Sequence, residues 1–165
     1  MQTEKGEIFM IKEISDFASL FGSNLSLDED FVVKNQNRYY LVNEALKKVL
    51  LNDFFHAGIF LGKTVGGKLS PGFELLRFLA QTKANRIVVD KKTEWLFICG
   101  RDVFKQGIVK NTGSGRKGEH VLVLNMNDEC LGFGRILCDL NDGKRGLAAK
   151  NILDVGDFLR REKET

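Results

Sequence analysis

The chain is poor in the residues that most often carry chemistry. It has three cysteines and two histidines among 165 residues. Cys99, Cys130 and Cys138 form no C-x-x-C pair and are odd in number, so neither a disulfide framework nor a thiol redox motif is expected. Each sits in an apolar, strand-like stretch (WLFICG, DECLGFG, RILCDL) and reads as a reduced, buried packing residue. His56 and His120 are far apart and have no cysteine at ligand spacing, which argues against a zinc site. No apolar run approaches the roughly 20 residues of a membrane span. The N-terminus, MQTEKGEIFMIKEISDF, lacks a basic-then-apolar signal, so the chain is expected to stay in the compartment where it is made. Low-complexity linkers, internal repeats, a nucleophile elbow and a dinucleotide fingerprint are all missing.

What the chain does have is an apolar content of 43%, enough for a packed core, and an uneven net charge of +3. Residues 1–90 hold 11 basic and 11 acidic side chains, whereas residues 91–165 hold 14 and 11. The whole excess is therefore in the second part. Within residues 99–118, Arg101, Lys105, Lys110, Arg116 and Lys117 accompany a single acid, Asp102. A patch of this kind favours a polyanion.

GKTVGGKLS, at residues 62–70, approaches the phosphate-loop consensus G-x-x-x-x-G-K-[ST]. Gly62, Gly67 and Lys68 fit its spacing, an apolar run precedes it and FELLRFLA follows it. Ile87-Val88-Val89-Asp90 even imitates a strand ending in a magnesium-holding aspartate. Two departures weigh against the motif. Residue 69 is leucine where a hydroxyl must hold magnesium. Ser70-Pro71 reads as an N-cap followed by a first-turn proline, so the helix begins too late for its N–H groups to face a phosphate. The stretch is read as a glycine-rich turn between a strand and a capped helix, with a solvent-facing binding loop as the alternative. Asp90 then becomes a polar residue at a strand end.

Ile11, Ile14, Phe17, Ala18 and Phe21 share one helical face, closed by Gly22. Phe31-Val32-Val33 and Arg38-Tyr39-Tyr40-Leu41 read as strands joined through Asn35-Gln36-Asn37, with one of the two tyrosines facing outward. Asn43 suits the N-cap of a helix over 44–51. A strand at 57–61, a helix near 71–82 and a strand at 86–89 complete a mixed α/β domain over residues 1–90. The charged break DKKTE at 90–94 marks the expected boundary. Beyond it, strands are predicted at 95–98, 107–110, 120–125, 130–138 and 147–155, with short helical pieces at 101–106 and 156–161. The fold class is α+β, with a small β-barrel-like domain over residues 91–165.

Within that second domain the order of motifs is GRDVFKQGIV, the basic loop GSGRKG, VLVL, LGFGR and an ending D-x-G-x-F-L-R-R. It resembles the PUA domain, a small RNA-binding barrel, over residues 93–162. RYYLVNEAL, AGIFLGK and a helix ending LLRFLA precede it. Together they are similar to the Nip-seven family of large-subunit ribosome biogenesis factors over nearly the whole chain, in a style closer to archaeal members. The resemblance implies a non-catalytic factor in large ribosomal subunit biogenesis and pre-rRNA processing, needing neither metal nor cofactor. It implies a cytoplasmic monomer (nucleolar or nuclear in a eukaryote) that binds single-stranded or looped pre-rRNA through its PUA domain and assembly proteins through its N-terminal domain.

Carried onto this sequence, the PUA groove is lined by Gly100, Arg101, Lys105, Gly107 and Lys110 on one side. Lys144, Arg145 and Lys150 come from the approach to the last strand and the strand itself, and Arg135 ends LGFGR. The residue types suit an RNA strand, because cations neutralise phosphates, glycines admit a close backbone, and guanidinium planes stack on unpaired bases. Gly132 and Gly134 read as packing or bulge glycines, and Phe133 and Trp95 as packing residues. Arg160 and Arg161 read as charges at a helix C-terminus. Two other functions stay open: a protein-interaction adaptor of ribosome assembly, and an RNA-targeting module of an RNA-modification system. For the latter, the acidic run Asp28-Glu29-Asp30 reads as a solvated turn rather than a catalytic set.

Overall fold

The structure, a computed structural model, describes residues 4–51, 53–157 and 160. Helix α1 (Glu4–Ser19) buries Ile14, Phe17 and Ala18 and ends where the Gly22 N–H meets the Ser19 carbonyl at 2.9 Å. A four-stranded antiparallel sheet follows in sequence order: β1 (Val32–Asn35), β2 (Arg38–Leu41), β3 (Ile59–Val65) and β4 (Lys68–Pro71). Helix α2 (Glu44–Val49) lies between β2 and β3, and the Asn43 side chain caps it by accepting the Leu46 N–H at 2.8 Å.

The 62–70 stretch is a β-hairpin. Gly62 and Lys63 pair with Pro71 and Ser70, and Gly66-Gly67, at φ +56° and +75°, form the two-residue turn. This corrects the expectation of a turn leading into a capped helix. Ser70 and Pro71 belong to β4, and helix α3 (Phe73–Ala80) starts after Gly72 with no side-chain cap. No helix N-terminus meets the Gly-Lys pair, so the phosphate-loop geometry is absent. The tyrosines are also corrected. Both are fully buried, because two layers cover the sheet. Tyr39 enters the core with Phe17 and Leu61, while Tyr40 packs edge-on against Phe54 and His56 from the segment after α2.

Strand β5 (Arg86–Val89) joins a second sheet. Its other members are β6 (Val103–Phe104), β7 (Ile108–Thr112), β8 (His120–Leu124), β9 (Cys130–Ile136) and β10 (Leu147–Asp154), in the order β6-β10-β9-β8-β5-β7. The two edge strands, β6 and β7, are consecutive in the chain and joined by a single 3-10 turn at Lys105–Gly107. That short connection curls the sheet into a barrel. The charged break at 90–94 is the start of helix α4 (Lys91–Ile98), after β5 has already entered this sheet. Asp90 caps α4 through the Thr93 N–H at 2.7 Å, and this hydrogen bond holds its carboxyl below the ordinary range.

Residues 95–98 are therefore helical, not the expected strand. Phe97 is buried, and Trp95 is 66% exposed rather than packed. Four apolar residues are too few to set a period, and the cap at Asp90 decides. The helical piece expected at 101–106 is β6 plus the 3-10 turn. Of the piece expected at 156–161, residues 157 and 160 are helical, while 158, 159 and Arg161 lie outside the described residues. Cys99 is exposed at the end of α4, a second departure. Cys130 and Cys138 are half-buried, and burial pushes the Cys130 thiol up to about 11.

Strand β8 is buried on both faces. Val121 and Val123 point into the barrel with Ile87, Phe97 and Val103. Leu122 and Leu124 point the other way, into a cluster with Phe17, Phe21, Leu75, Leu79 and Phe133. Gly132 makes this layering possible. At φ +145°, an added Cβ would stand 2.0 Å from the Leu153 carbonyl oxygen. Gly132→Ala should therefore lower unfolding free energy by about 1–3 kcal/mol through overpacking and strain. A urea midpoint equal to the parent's would contradict this role.

Candidate nucleic-acid interface

Three connections meet at one end of the barrel. The β7–β8 loop and the β9–β10 loop touch where the Leu140 N–H reaches the Gly115 carbonyl at 3.0 Å and the Asn141 amide reaches the Ser114 carbonyl at 3.2 Å. The 3-10 turn joins them through the Lys105 N–H and the Gly146 carbonyl at 2.9 Å. The Lys105 ammonium donates to the Asp139 carbonyl at 2.7 Å and pairs with the Asp142 carboxylate. Each partner shifts the other, Lys105 upward and Asp142 downward. With its side chain only 11% exposed, Lys105 pins the loop and is not a free cation.

The loop it pins carries Lys144 and Arg145, both exposed. The Lys144 N–H donates to Asp142 at 2.9 Å, which fixes the turn and leaves its ammonium outside. Arg116 and Lys117 are exposed on the adjoining loop. These two belong to the basic run of residues 99–118 but not to the groove expected from the resemblance, and the signal for them in the sequence is their place in a basic glycine loop.

Just inside this end, Lys150, Arg135 and His120 form a row of cross-strand partners on β10, β9 and β8. Lys150 and Arg135 are exposed, and like charges set directly opposite each other cost stability. None of Arg116, Lys117, Arg135, Lys144, Arg145 or Lys150 has an ion-pair partner among the described residues.

The remaining candidates sit elsewhere. Gly100 and Arg101 are exposed where α4 passes into β6, beside the Asn151 side chain, which donates to the Arg101 carbonyl at 3.4 Å. Gly107 is buried, and an added Cβ would stand 2.0 Å from the Thr93 hydroxyl, so it packs the 3-10 turn against α4. Lys110 is exposed on the edge strand β7, paired with Val88, on the far side of β8 and β5 from Arg135. Phe133 is 4% exposed, as a packing residue should be. Arg160 is a cross-tie rather than a helix-end charge. Its guanidinium donates to Asp154 at 2.7 Å and to the Ile98 carbonyl at 2.8 Å, tying α4 to β10.

His120 closes the row against the core. Its ring stacks on Phe133 at 5.7 Å and meets Phe21 edge-on at 5.6 Å. Burial, and then the Arg135 guanidinium, lower its pKa below 6.5. The folded state favours the neutral ring, while the unfolded chain takes up a proton near 6.5. The stability that this preference supplies is present above that pH and is lost as pH falls through the depressed folded value. Between pH 6.5 and 5, the parent's stability should drop more steeply than that of His120→Phe in urea titrations; parallel profiles would refute the assignment.

Residues 85–163 match a family described as the UPF0113 PUA domain. A UPF0113 protein of Archaeoglobus fulgidus is 32% identical over 66% of this chain and 63% of its own length. A tRNA-guanine(15) transglycosylase of Methanobrevibacter smithii is 25% identical over 88% of this chain, yet the match takes in only 22% of that enzyme. A 60S ribosome subunit biogenesis protein NIP7 homolog of Dictyostelium discoideum is 27% identical over 98% of this chain and 97% of its own. The chain thus spans less than two thirds of the first two relatives and nearly all of the third. Among solved structures, a conserved PUA domain protein from Thermoplasma acidophilum shares the fold with a TM-score of 0.63 over 93% of both chains, at 24% identity. Residues 85–163 thus match the UPF0113 PUA domain, and the chain as a whole, an α/β unit leading into a curled barrel, is similar to UPF0113 and NIP7 proteins.

Proposed function

We propose that this chain is a non-catalytic RNA-binding factor of large ribosomal subunit assembly that holds single-stranded or looped pre-rRNA on its PUA domain. The observation that carries this reading is the group of exposed cations at one end of the barrel that have no ion-pair partner among the described residues: Arg116, Lys117, Arg135, Lys144, Arg145 and Lys150. Folding gains nothing from placing like charges together, so a polyanion explains the grouping. Arg101 extends this surface along β10, and Lys110 serves as an outlying phosphate contact. The RNA-binding unit starts at Arg86, where β5 enters the second sheet, instead of at residue 91.

The NIP7 name of the nearly full-length relative supports the assembly role. The small share of the transglycosylase that is matched supports a binding module over a catalyst. Among the described residues, no helix is long and apolar enough to cross a membrane. The factor works as a monomer where ribosomes are assembled, in the cytoplasm, or in the nucleolus or nucleus of a eukaryote. One observation favours a second, compatible role in docking an assembly protein: Val49, Leu51 and Phe55 of the N-terminal unit are 71%, 78% and 86% exposed.

Fluorescence anisotropy of the full chain with uridine-rich and adenine-rich single strands, over a salt series, tests the RNA reading. Replacing Lys144 and Arg145 with alanine should weaken binding to both strands about equally. It should also reduce the log–log salt slope by roughly 0.7 for each phosphate no longer neutralised. Lys105→Ala should behave differently, lowering the thermal midpoint and speeding amide exchange in residues 137–146 by releasing the loop. An unchanged slope in the Lys144/Arg145 variant would remove this end of the barrel from the interface.

A further inference from the structure

The N-terminal unit, neutral in net charge, holds a second basic cleft. Arg38 on β2 and Lys63 on β3 are direct cross-strand partners, and Ser70 on β4 is the next partner in the same row. All three line a cleft of about 310 Å³ whose walls include Tyr40, His56 and Phe60. Neither cation has an ion-pair partner among the described residues. Arg38 rests instead on the Phe55 ring, at 5.8 Å. The acid at the rim, Asp157, faces Arg160 at 3.9 Å.

Two like charges set opposite each other across antiparallel strands destabilise a sheet, and among the described residues neither Arg38 nor Lys63 is in an ion pair. Lys48 and Arg77 of the same unit show the usual alternative, each paired with a glutamate at 2.8 Å. An arginine, a lysine and a serine lining one cleft beside aromatic walls suit a phosphate and the base attached to it. The volume is at the lower end of small-molecule sites, which suits one nucleotide. We infer that this cleft binds a phosphate group, carried by an RNA strand or by a free nucleotide, with Arg38, Lys63 and Ser70 on the phosphate and the His56–Phe60 wall beside the base. Leu153 of β10 and Asp157 complete the rim, but the cleft shares none of the cations of the loop end of the barrel and is tested independently of them.

Two measurements on the full chain test this. The first repeats the RNA salt series with Arg38→Ala/Lys63→Ala, with the Lys144/Arg145 variant alongside. If the phosphate belongs to RNA, the N-terminal variant should lose about 0.7 to 1.4 in slope. Combining the two variants should add their losses. The second follows the backbone amides of residues 38, 63 and 70 by NMR during titration with inorganic phosphate and with adenosine monophosphate. Shifts in the parent that vanish in Arg38→Ala/Lys63→Ala, with an unchanged RNA slope, would assign the site to a free nucleotide. An unchanged slope together with still amides overturns the inference. Because the parent alone supplies the amide shifts, a misfolded variant cannot hide that result. A flat response of the Lys144/Arg145 variant alone would refute only the barrel interface.

Discussion

The pairing of β5 with β8 is the constraint on which the rest of the structure hangs. The strand that leaves the N-terminal unit does not stop at its edge. It runs parallel to β8 in the second sheet, with Arg86, Ile87 and Val88 opposite Leu122, Val123 and Leu124. This places β8 in the middle of two cores. Its valines fill the barrel, and its leucines meet α1 and α3 together with Phe133 of β9. Phe17 and Phe21 meet Phe133 edge-on at 5.8 and 5.5 Å, so aromatic contacts join the two units directly. The barrel's outer face is thus partly core. The row from His120 across Arg135 to Lys150 lies on its uncovered part.

Charge in this protein divides by commitment more than by count. Lys105, Arg86 and Arg160 are spent on the fold. Arg86 donates to the Ala80 carbonyl at 2.7 Å and also to the Thr82 carbonyl, closing the end of α3. Arg160 balances Asp154, whose side chain is 3% exposed; a buried carboxylate without a counter-ion is costly. Such residues cannot both hold the chain together and release counter-ions from RNA. The cations left over, which the proposed RNA surface draws on, fall on two loops and one cross-strand row.

How much of this was legible beforehand depends on the type of signal. Strands β8, β9 and β10 were readable because apolar runs with glycine punctuation persist over long stretches, and α2 because Asn43 is a strong cap. The order of motifs in the second half carried the barrel. Short apolar runs misled: LFI in Trp95–Ile98 suits a strand or a buried helix turn equally, and the deciding residue, Asp90, lies five positions upstream. The Gly66-Gly67 hairpin was hidden by its likeness to a phosphate loop, since Leu69 and Ser70 read as a helix approach until their pairing with Thr64 and Lys63 is known. Among the site candidates, sequence supplied the residue types but not their partners. Lys105 and Lys144 look alike in a charge count; only the fold shows that Asp139 and Asp142 claim the first.

The same distinction explains how a net-neutral unit can attract an anion. Residues 1–90 balance in charge, yet their acids are unevenly engaged. Glu44 and Glu74 face cations on their own helices, and Glu13 accepts the Tyr39 hydroxyl, whose pKa burial and that carboxylate raise. On β2 and β3, Arg38 and Lys63 have no ion-pair partner among the described residues. A core, not a linker, joins this cleft to the barrel, so the two positions are held in one arrangement before any ligand arrives. A strand that reached both would meet the ordering cost of only its own backbone, since the protein's share is already met in folding. Preorganisation of this kind favours a ligand with phosphates at a fixed spacing over scattered anions, which is the physical basis for selecting a folded or looped RNA by shape.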